Sequence, residues 1–340
     1  MGSKPGGRAE SQSFVRAGAT KRRQDAKRDL IAARCRTTLT SKGRAVSRDG
    51  GPSVPSAAGG PIESAQQMEA ILEDRAIAGE VLAVLRTGRQ IAPLTRRHSD
   101  FTIGDGYRIA RMICGLRAAR GDRPGGRKIG FTNRDAWPKF KADAPMWGYL
   151  YASTVHDLEK ASHASLEGVA EPRIEPEIVF ALAEAPTPDM DDEALAQCLA
   201  WVAHGFEIVQ SIYPNWDCLA ADAVAGFGMH EALWIGPRHS FAARAGEWTR
   251  ELTTCEAELL CNNASVDRGK AANVLGGPLK ALRALVAVLA VDSHNPPLAA
   301  GEIVTTGSLT RAPPIAAGEI WTTGMTGIPL EGARLALNER

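Results

Sequence analysis

Two glutamates stand at alternate positions of an otherwise apolar segment. Glu175 and Glu177 interrupt the run RIEPEIVFAL between Arg173 and Leu182. In a β-strand both carboxylates would lie on the same face, about 6.5–7 Å apart between Cα atoms. Like charges at that distance repel each other unless a cation lies between them. The spacing is typical of a metal site and equally of a half-exposed strand with solvated glutamates, so both alternatives stay open on spacing alone.

A third glutamate interrupts a second apolar segment. Glu207 lies within GFEIVQ, residues 205–210, which we predict to be a strand directly after a helix. Burying an ionised carboxylate costs on the order of several kcal/mol unless it is paired or binds a metal. Three carboxylates on two strands make an all-oxygen site, which favours Mg²⁺ or Mn²⁺ over zinc. Such a site leaves coordination positions for a chelating substrate.

A lysine between glycines could provide acid–base chemistry. Lys128 lies in GGRKIGF, residues 125–131, a short predicted strand whose glycines allow other groups to approach the backbone. A partly desolvated lysine near a metal has a lowered pKa, as proton transfer near neutral pH requires. For this segment alone, a solvated lysine beside Arg127 is the more common alternative.

The period of the apolar residues indicates which elements position these groups. Four helices are predicted: one from Ser64, one around 109–116, one around 195–202 and one from Pro278. Strands are predicted at 127–132, 174–182, 206–212, 231–235, 252–261, 302–307 and 318–323. Since helices cluster early and strands dominate later, we predict an α+β fold. A near-repeat, AAGEIVTTG at 299–307 and AAGEIWTTG at 316–324, predicts two similar β-arches in one sheet system.

Charge is unevenly distributed along the 340 residues. Residues 1–60 contain 13 Lys and Arg against 4 Asp and Glu, and residues 61–340 contain 27 against 35. An acidic body argues against nucleic acid as the main partner. No apolar run approaches the roughly 18 residues of a membrane span, so no membrane partner is expected. The six cysteines form no CxxC pair, which favours reduced thiols in a cytoplasmic protein.

Residues 1–60 are predicted to be a disordered basic arm, because Gly, Ser, Arg and Pro dominate and no apolar period persists. Three explanations of this segment stay open. It is a solvated tail or upstream sequence included by a wrong start codon, an organelle transit peptide, or a nucleic-acid-binding arm. We expect a single catalytic domain over 61–340, with helices in about 61–125 and strands in about 126–331. The non-enzyme alternative is a catalytically silent metal-binding scaffold that acts through the arm.

Seven short motifs follow one another along the body of the chain. They are VLRTGRQIAPL at 84–94, DGY at 105–107, GRKIGFT at 126–132, GYL at 148–150, Glu175-x-Glu177, FEIV at 206–209 and GSLT at 307–310. In this order, over residues 66–331, they resemble the 2-keto-4-pentenoate hydratase group of the fumarylacetoacetate hydrolase superfamily.

The resemblance implies a mixed β-roll fold and a bound divalent metal, Mg²⁺ or Mn²⁺. The residues it implies are the metal ligands Glu175, Glu177 and Glu207, the acid–base residue Lys128, and the substrate contacts Ser308 and Thr310. Family members act on small 2-oxo acids or their dienol forms, so a metal-dependent lyase is implied, with hydration expected first. Decarboxylation of a 4-oxalocrotonate-like acid and hydrolysis of a carbon–carbon bond stay alternatives. We also expect a homo-oligomer, a dimer or larger.

Two segments depart from the pattern of that family. APMWG at 144–148 lacks the acidic residue that usually precedes the GYL motif. The segment 222–230 keeps Asp222, lacks a second Asp and an Asn, and has His230 eight positions later. Both changes concern expected substrate contacts, so Asp222 and His230 are further candidates. A histidine at the start of a strand is also common as an ordinary polar residue.

Overall fold

The computed structural model describes residues 65–338 of the chain. The predicted basic arm, residues 1–60, and the predicted helix cap at Ser64 lie outside the described residues. The described residues belong to a compact unit that extends from Glu63 to Arg340.

Three of the α-helices in the described region precede the first strand, and the others lie between strands. They are α1 (Ala65–Val84), α2 (Leu94–Arg97), α3 (Ile103–Ala119), α4 (Trp137–Phe140), α5 (Asp192–Gln197), α6 (Ala220–Ala225), α7 (Ala245–Thr254) and α8 (Pro278–Ala290). Helix α3 begins with a capping box between Thr102 and Asp105. Helix α8 begins at Pro278, as predicted, because proline lacks the N–H that a first-turn residue leaves unbonded.

The strands form two sheets. They are β1 (Pro124–Gly130), β2 (Met146–Tyr151), β3 (Val155–Asp157), β4 (His163–Ala164), β5 (Arg173–Leu182), β6 (Leu199–Val209), β7 (His230–Ile235), β8 (His239–Ser240), β9 (Glu256–Cys261), β10 (Ala264–Lys270), β11 (Ile303–Ser308), β12 (Ile320–Thr326) and β13 (Arg334–Leu337). The first sheet has the order β2-β1-β11-β5-β6-β7-β3, with β8 beside β6, and the second has β10-β9-β12-β13-β4. Parallel and antiparallel pairs both occur in the first sheet, so the sheet is mixed.

The first sheet curls, and the second packs against its outer face. Leu150 on β2 shares a buried cluster with Leu233 on β7, although these strands lie at opposite ends of five successive pairings. Phe206 and Trp234, which point outward, share another cluster with Trp321 of the second sheet. Helices α1, α3 and α8 contribute to a third cluster. These features confirm the predicted α+β class and the mixed β-roll.

Strand register brings the candidate residues to one face. Glu175 lies opposite Glu207 in the β5–β6 pair, and Glu177 lies opposite Ser308 in the β11–β5 pair. Lys128 lies opposite Thr305 in the β1–β11 pair. Since directly opposed residues share a face of a sheet, the central strands place all these side chains on the inner face of the roll.

Several element predictions are wrong in detail. The strand predicted at 252–261 begins only at Glu256, because its first three residues end helix α7. The helix predicted around 195–202 ends at Gln197, and strand β6 already begins at Leu199. Both elements bury their apolar residues, so a short apolar run cannot separate a helix end from a strand start. The near-repeat does not form arches in one sheet system either, because β11 belongs to the first sheet and β12 to the second.

One stretch of the described chain corrects the prediction that no segment reaches membrane-span length. Ala271–Ala290 is long and apolar enough by composition alone, but half of it is buried within the fold. Its buried residues include Leu282, Leu285 and Leu289 of α8, which belong to the main core. A core helix of a folded domain accounts for this composition.

Candidate active site

Three carboxylates converge on the inner face of the roll. One oxygen from each of Glu175, Glu177 and Glu207 lies within 4.8 Å of the others. Glu177 and Glu207 are fully buried, and Glu175 is half-buried. The convergence follows from the register, because Glu175 and Glu207 are opposed and Glu177 is one pleat repeat away.

Only part of the hydrogen-bonding capacity of these carboxylates is used. The backbone N–H of Gly307 donates to Glu177 Oε2 at 2.7 Å. Lys128 Nζ lies 3.4 Å from Glu207 Oε1, and His230 Nδ1 lies 2.8 Å from the same oxygen. Among the residues that the structure describes, Glu177 Oε1 and Glu207 Oε2 have no hydrogen-bond partner. Two buried acceptor oxygens without donors fit a cation, since carboxylate oxygen is the ligand that Mg²⁺ and Mn²⁺ prefer.

The carboxylates differ in their affinity for a proton. Burial raises the pKa of Glu175 to about 7, and the charge of Glu207 acts in the same direction. Burial and the charges of Glu207 and Glu175 raise the pKa of Glu177 well above its ordinary value. Burial would also raise the pKa of Glu207, but the nearby Lys128 and His230 outweigh it and lower that pKa. A proton and a divalent cation would therefore compete for Glu175 and Glu177.

Lys128 is buried, and it lies against the carboxylates. Its side chain is 3% exposed, so the alternative of a solvated lysine is wrong. Burial by itself would lower the pKa of Lys128, but Glu207, followed by Glu175 and Glu177, outweighs it and raises that pKa. The three carboxylates thus stabilise the ammonium form, and a lowered pKa beside a bound metal stays a prediction.

His230 lies between Glu207 and a neighbouring cavity. Its Nε2 lies 2.9 Å from the hydroxyl of Thr154, while its Nδ1 faces Glu207. The cavity has a volume of about 150 Å³, and its lining includes Thr154, His230, Arg117 and Tyr151. With partners on both ring nitrogens, His230 is held in one orientation beside the carboxylate cluster. Sequence reasoning missed Thr154, which no motif distinguishes.

The remaining predicted substrate contacts lie in different settings. Ser308 is opposed to Glu177, and its buried hydroxyl lacks a partner within the described part of the chain. The hydroxyl of Thr310 donates to the carbonyl of Arg311. The carboxylate of Asp222 accepts hydrogen bonds from Thr95 and from the N–H of Leu219, and its contact with the substrate stays a prediction. Asp222 therefore helps to cap the start of α6, because its side chain accepts from the N–H of the residue before the helix.

The two segments that depart from the family pattern meet over Lys128. Phe227, Gly228 and Met229 form a 3₁₀ turn in which all three residues have φ near +60°. A Cβ atom on Gly148 would lie only 3.0 Å from Gly228 Cα, and one on Gly228 would lie 3.5 Å from Lys128 Cδ. The turn thus lies close enough to Lys128 that a side chain at position 228 would contact it, and two glycines make the close approach of the two segments possible.

Comparisons with known proteins agree with this geometry. No family model matches the chain. The chain is 31% identical over 226 residues to a 2-hydroxyhexa-2,4-dienoate hydratase of Comamonas testosteroni, which covers 66% of this chain and 83% of the relative. It is 32% identical over 227 residues to a 2-keto-4-pentenoate hydratase of Burkholderia vietnamiensis, which covers 66% and 82%.

A solved structure supports the fold. The 4-oxalocrotonate decarboxylase from Pseudomonas putida G7, complexed with magnesium and adipate, superposes with a TM-score of 0.72. The match is 22% identical in sequence and covers 78% of this chain and 98% of that one. With the motif order, the sheet topology and two hydratase relatives above 30% identity in agreement, the chain belongs to the 2-keto-4-pentenoate hydratase group of the fumarylacetoacetate hydrolase superfamily.

Proposed function

We propose that this enzyme is a metal-dependent lyase that adds water to a carbon–carbon double bond of a small 2-oxo acid in its dienol form. The observation that carries the proposal is the convergence of three carboxylates beside a buried lysine. The names of the two hydratase relatives support hydration as the reaction type.

Glu175, Glu177 and Glu207 are the proposed ligands of a divalent cation, Mg²⁺ or Mn²⁺. The two buried carboxylate oxygens that lack donors among residues 65–338 support this assignment. When bound there, the cation would supply the positive charge that holds and polarises the 2-oxo acid. The glutamates themselves fix the position of that charge, because they lie on paired central strands.

Lys128 is the proposed proton-transfer residue. Hydration joins a hydroxyl group to one carbon of the double bond and a proton to the other, so a group that gives and takes a proton is required. Lys128 Nζ lies 3.4 Å from Glu207 Oε1, and its side chain is buried from water. His230 is proposed to position Glu207, and Ser308 and Thr310 to contact the substrate.

A side-by-side assay tests the reaction type. Purified enzyme is incubated with 2-hydroxypenta-2,4-dienoate and, separately, with 4-oxalocrotonate, each with Mg²⁺, with Mn²⁺ and with a chelator. We expect metal-dependent loss of the dienoate and none with the chelator. Release of CO₂ from 4-oxalocrotonate without hydration of the dienoate would replace hydration by decarboxylation. Absence of both reactions and of metal binding would favour the catalytically silent scaffold.

The cellular location and the oligomeric state of the enzyme are further parts of the proposal. A cytoplasmic location is supported by the cysteines that the structure describes, all of which are free thiols. A homo-oligomer is supported by the exposed apolar side chains of Met68, Ile71 and Leu72 on α1. Light scattering on the purified protein measures its oligomeric state, and a monomer would contradict this part.

A further inference from the structure

Thr305 carries a buried hydroxyl on the inner face of the roll. The residue is fully buried, and its Oγ1 has no hydrogen-bond partner in the described part of the chain. Thr305 lies opposite Lys128 on one side and opposite Val179 on the other. Its side chain therefore shares the face on which Lys128 reaches Glu207.

The residue opposite Thr305 on β5, Val179, is apolar. Val179 belongs to the buried cluster of Leu150, Ala203 and Leu233, which fills the interior of the roll beyond the glutamates. A buried hydroxyl without a partner lowers stability, and valine would occupy the same volume without that penalty. The fold alone therefore does not explain a threonine here.

The next residue on the same strand, Thr306, is a threonine whose hydroxyl has a hydrogen-bond partner within the fold. Thr306 is equally buried, but its side chain points to the other face, and its hydroxyl donates to the carbonyl of Ile178 at 3.0 Å. Ten buried side-chain atoms lack partners within residues 65–338, and Thr305 Oγ1 shares the inner face of the roll with three of the others: Ser308 Oγ, Glu177 Oε1 and Glu207 Oε2. All four are on the strands that build the candidate site.

We infer that Thr305 is a substrate-binding residue whose hydroxyl hydrogen-bonds an oxygen of the 2-oxo acid head group. The inference rests on the proposed function, because it requires an oxo acid at the three glutamates. A hydroxyl that faces a charged oxygen in a buried site contributes more to binding than one that faces water. Thr305 then determines how the head group is oriented relative to Lys128.

Three full-length variants test the inference: Thr305→Val, Thr305→Ser and the matched control Thr306→Val. Melting temperature, its rise on adding Mg²⁺, and the affinity for oxalate in the presence of Mg²⁺ are measured for each. Oxalate is the probe because it contains only head-group oxygens. We expect Thr305→Val to melt at or above the wild-type temperature and to respond fully to Mg²⁺. Its affinity for oxalate should be roughly 10–100-fold weaker, the range for one hydrogen bond to a charged group.

The controls separate a binding role from a structural one. Thr305→Ser keeps the hydroxyl and should bind oxalate nearly as well as the wild type. Thr306→Val should melt at a lower temperature and bind oxalate normally, because its hydroxyl serves the fold. Wild-type affinity in Thr305→Val, or a loss of melting temperature as large as in Thr306→Val, would overturn the inference and leave the proposed function standing. A wild-type protein that fails to bind oxalate with Mg²⁺ would overturn both.

Discussion

The candidate metal ligands differ in how their replacement should change the stability of the protein. Glu177→Gln removes a negative charge from a site where burial and neighbouring carboxylates already raise the pKa of that residue. The metal-free variant should therefore be as stable as the wild type or more stable. Glu207→Gln should instead lower the free energy of unfolding by about 3–5 kcal/mol, because it leaves the buried Lys128 without its nearest carboxylate. Thermal unfolding with and without Mg²⁺ measures both effects, and the Mg²⁺-induced shift should vanish in both variants.

Lys128 provides a second test at the level of single residues. Lys128→Ala should lower turnover by about 10²–10⁴-fold, the range for losing one positioned proton-transfer group. Lys128→Arg should restore little, since a guanidinium group does not release its proton near neutral pH. Steady-state kinetics with saturating metal measures this, and Thr306→Val serves as a control for mutation near the site. Turnover close to that of the wild type in Lys128→Ala would contradict a catalytic role.

The response to pH follows from Glu175. Burial raises its pKa to about 7 from an ordinary value of 4.5. Between these two pH values the folded, metal-free protein keeps a proton that the unfolded chain has lost, so stability should fall as the pH rises through that range. Because Mg²⁺ competes with this proton, its affinity should increase with pH, by up to about tenfold per unit for each proton displaced. Melting curves between about pH 5.5 and 8, with Mg²⁺ or a chelator, test both trends, and Glu175→Gln should flatten them.

At the level of single residues, the sequence predicts which charged residues lie in apolar strands. It predicts little about how neighbouring residues change their pKa or bind their side chains. Glu175, Glu177 and Glu207 are recognisable because each breaks an apolar period. The sign of the pKa shift of Lys128 depends on three carboxylates from other strands, which spacing along the chain cannot give. The hydrogen bonds between Asp222 and Thr95 could not be predicted either, since these residues lie 127 positions apart in the sequence.

The turn Phe227–Met229 packs so closely against β2 that position 148 has no room for a side chain. A methyl group on Gly148 would lie 2.9 Å from the carbonyl oxygen of Phe227 and 3.0 Å from Gly228 Cα, both of which are backbone atoms. Gly148→Ala should therefore displace the turn and destabilise the protein by about 1–3 kcal/mol, the usual cost of overpacking. Gly125→Ala on β1 is the matched control, because no atom lies within 4 Å of a Cβ at that position. Denaturant unfolding and turnover of both variants measure the effect, and equal stability of the two would contradict close packing of the turn.

The bounds of helices and strands could be predicted where the spacing of apolar residues and the position of a proline indicated the same element. Strand β5 matches its predicted range closely because its apolar residues alternate, and helix α8 begins at Pro278 as predicted because proline is favoured in a first turn. The boundary between α5 and β6 was missed since its apolar residues are buried in either structure. Pairing of β11 with β1 and β5, which creates the site, joins segments over 100 residues apart and has no local signal.

For the whole molecule, the unit from Glu63 to Arg340 contains the sheets, the core and every candidate site residue. Residues 1–60 carry a large positive charge and little apolar sequence, so they are expected to add nothing to the core. A protein that begins at Pro61 should therefore match the full-length chain in melting temperature, oligomeric size and turnover. It also keeps the predicted cap at Ser64, whereas one that begins at Met68 loses that residue and should be weaker by about 0.5–2 kcal/mol.

Parallel measurements on the full-length and Pro61 proteins decide whether the arm matters. Limited trypsin digestion of the full-length chain should remove the Lys- and Arg-rich residues 1–60 first and then stall, because cleavage favours segments that contribute little to a packed core. A gel-shift series at increasing salt should show no difference between the two proteins, since the basic residues of 1–60 have almost no aromatic residues between them on which bases could stack. Salt-sensitive nucleic-acid binding by the full-length chain alone would revive the scaffold alternative. A change in oligomeric size after truncation would instead make residues 1–60 part of the assembly.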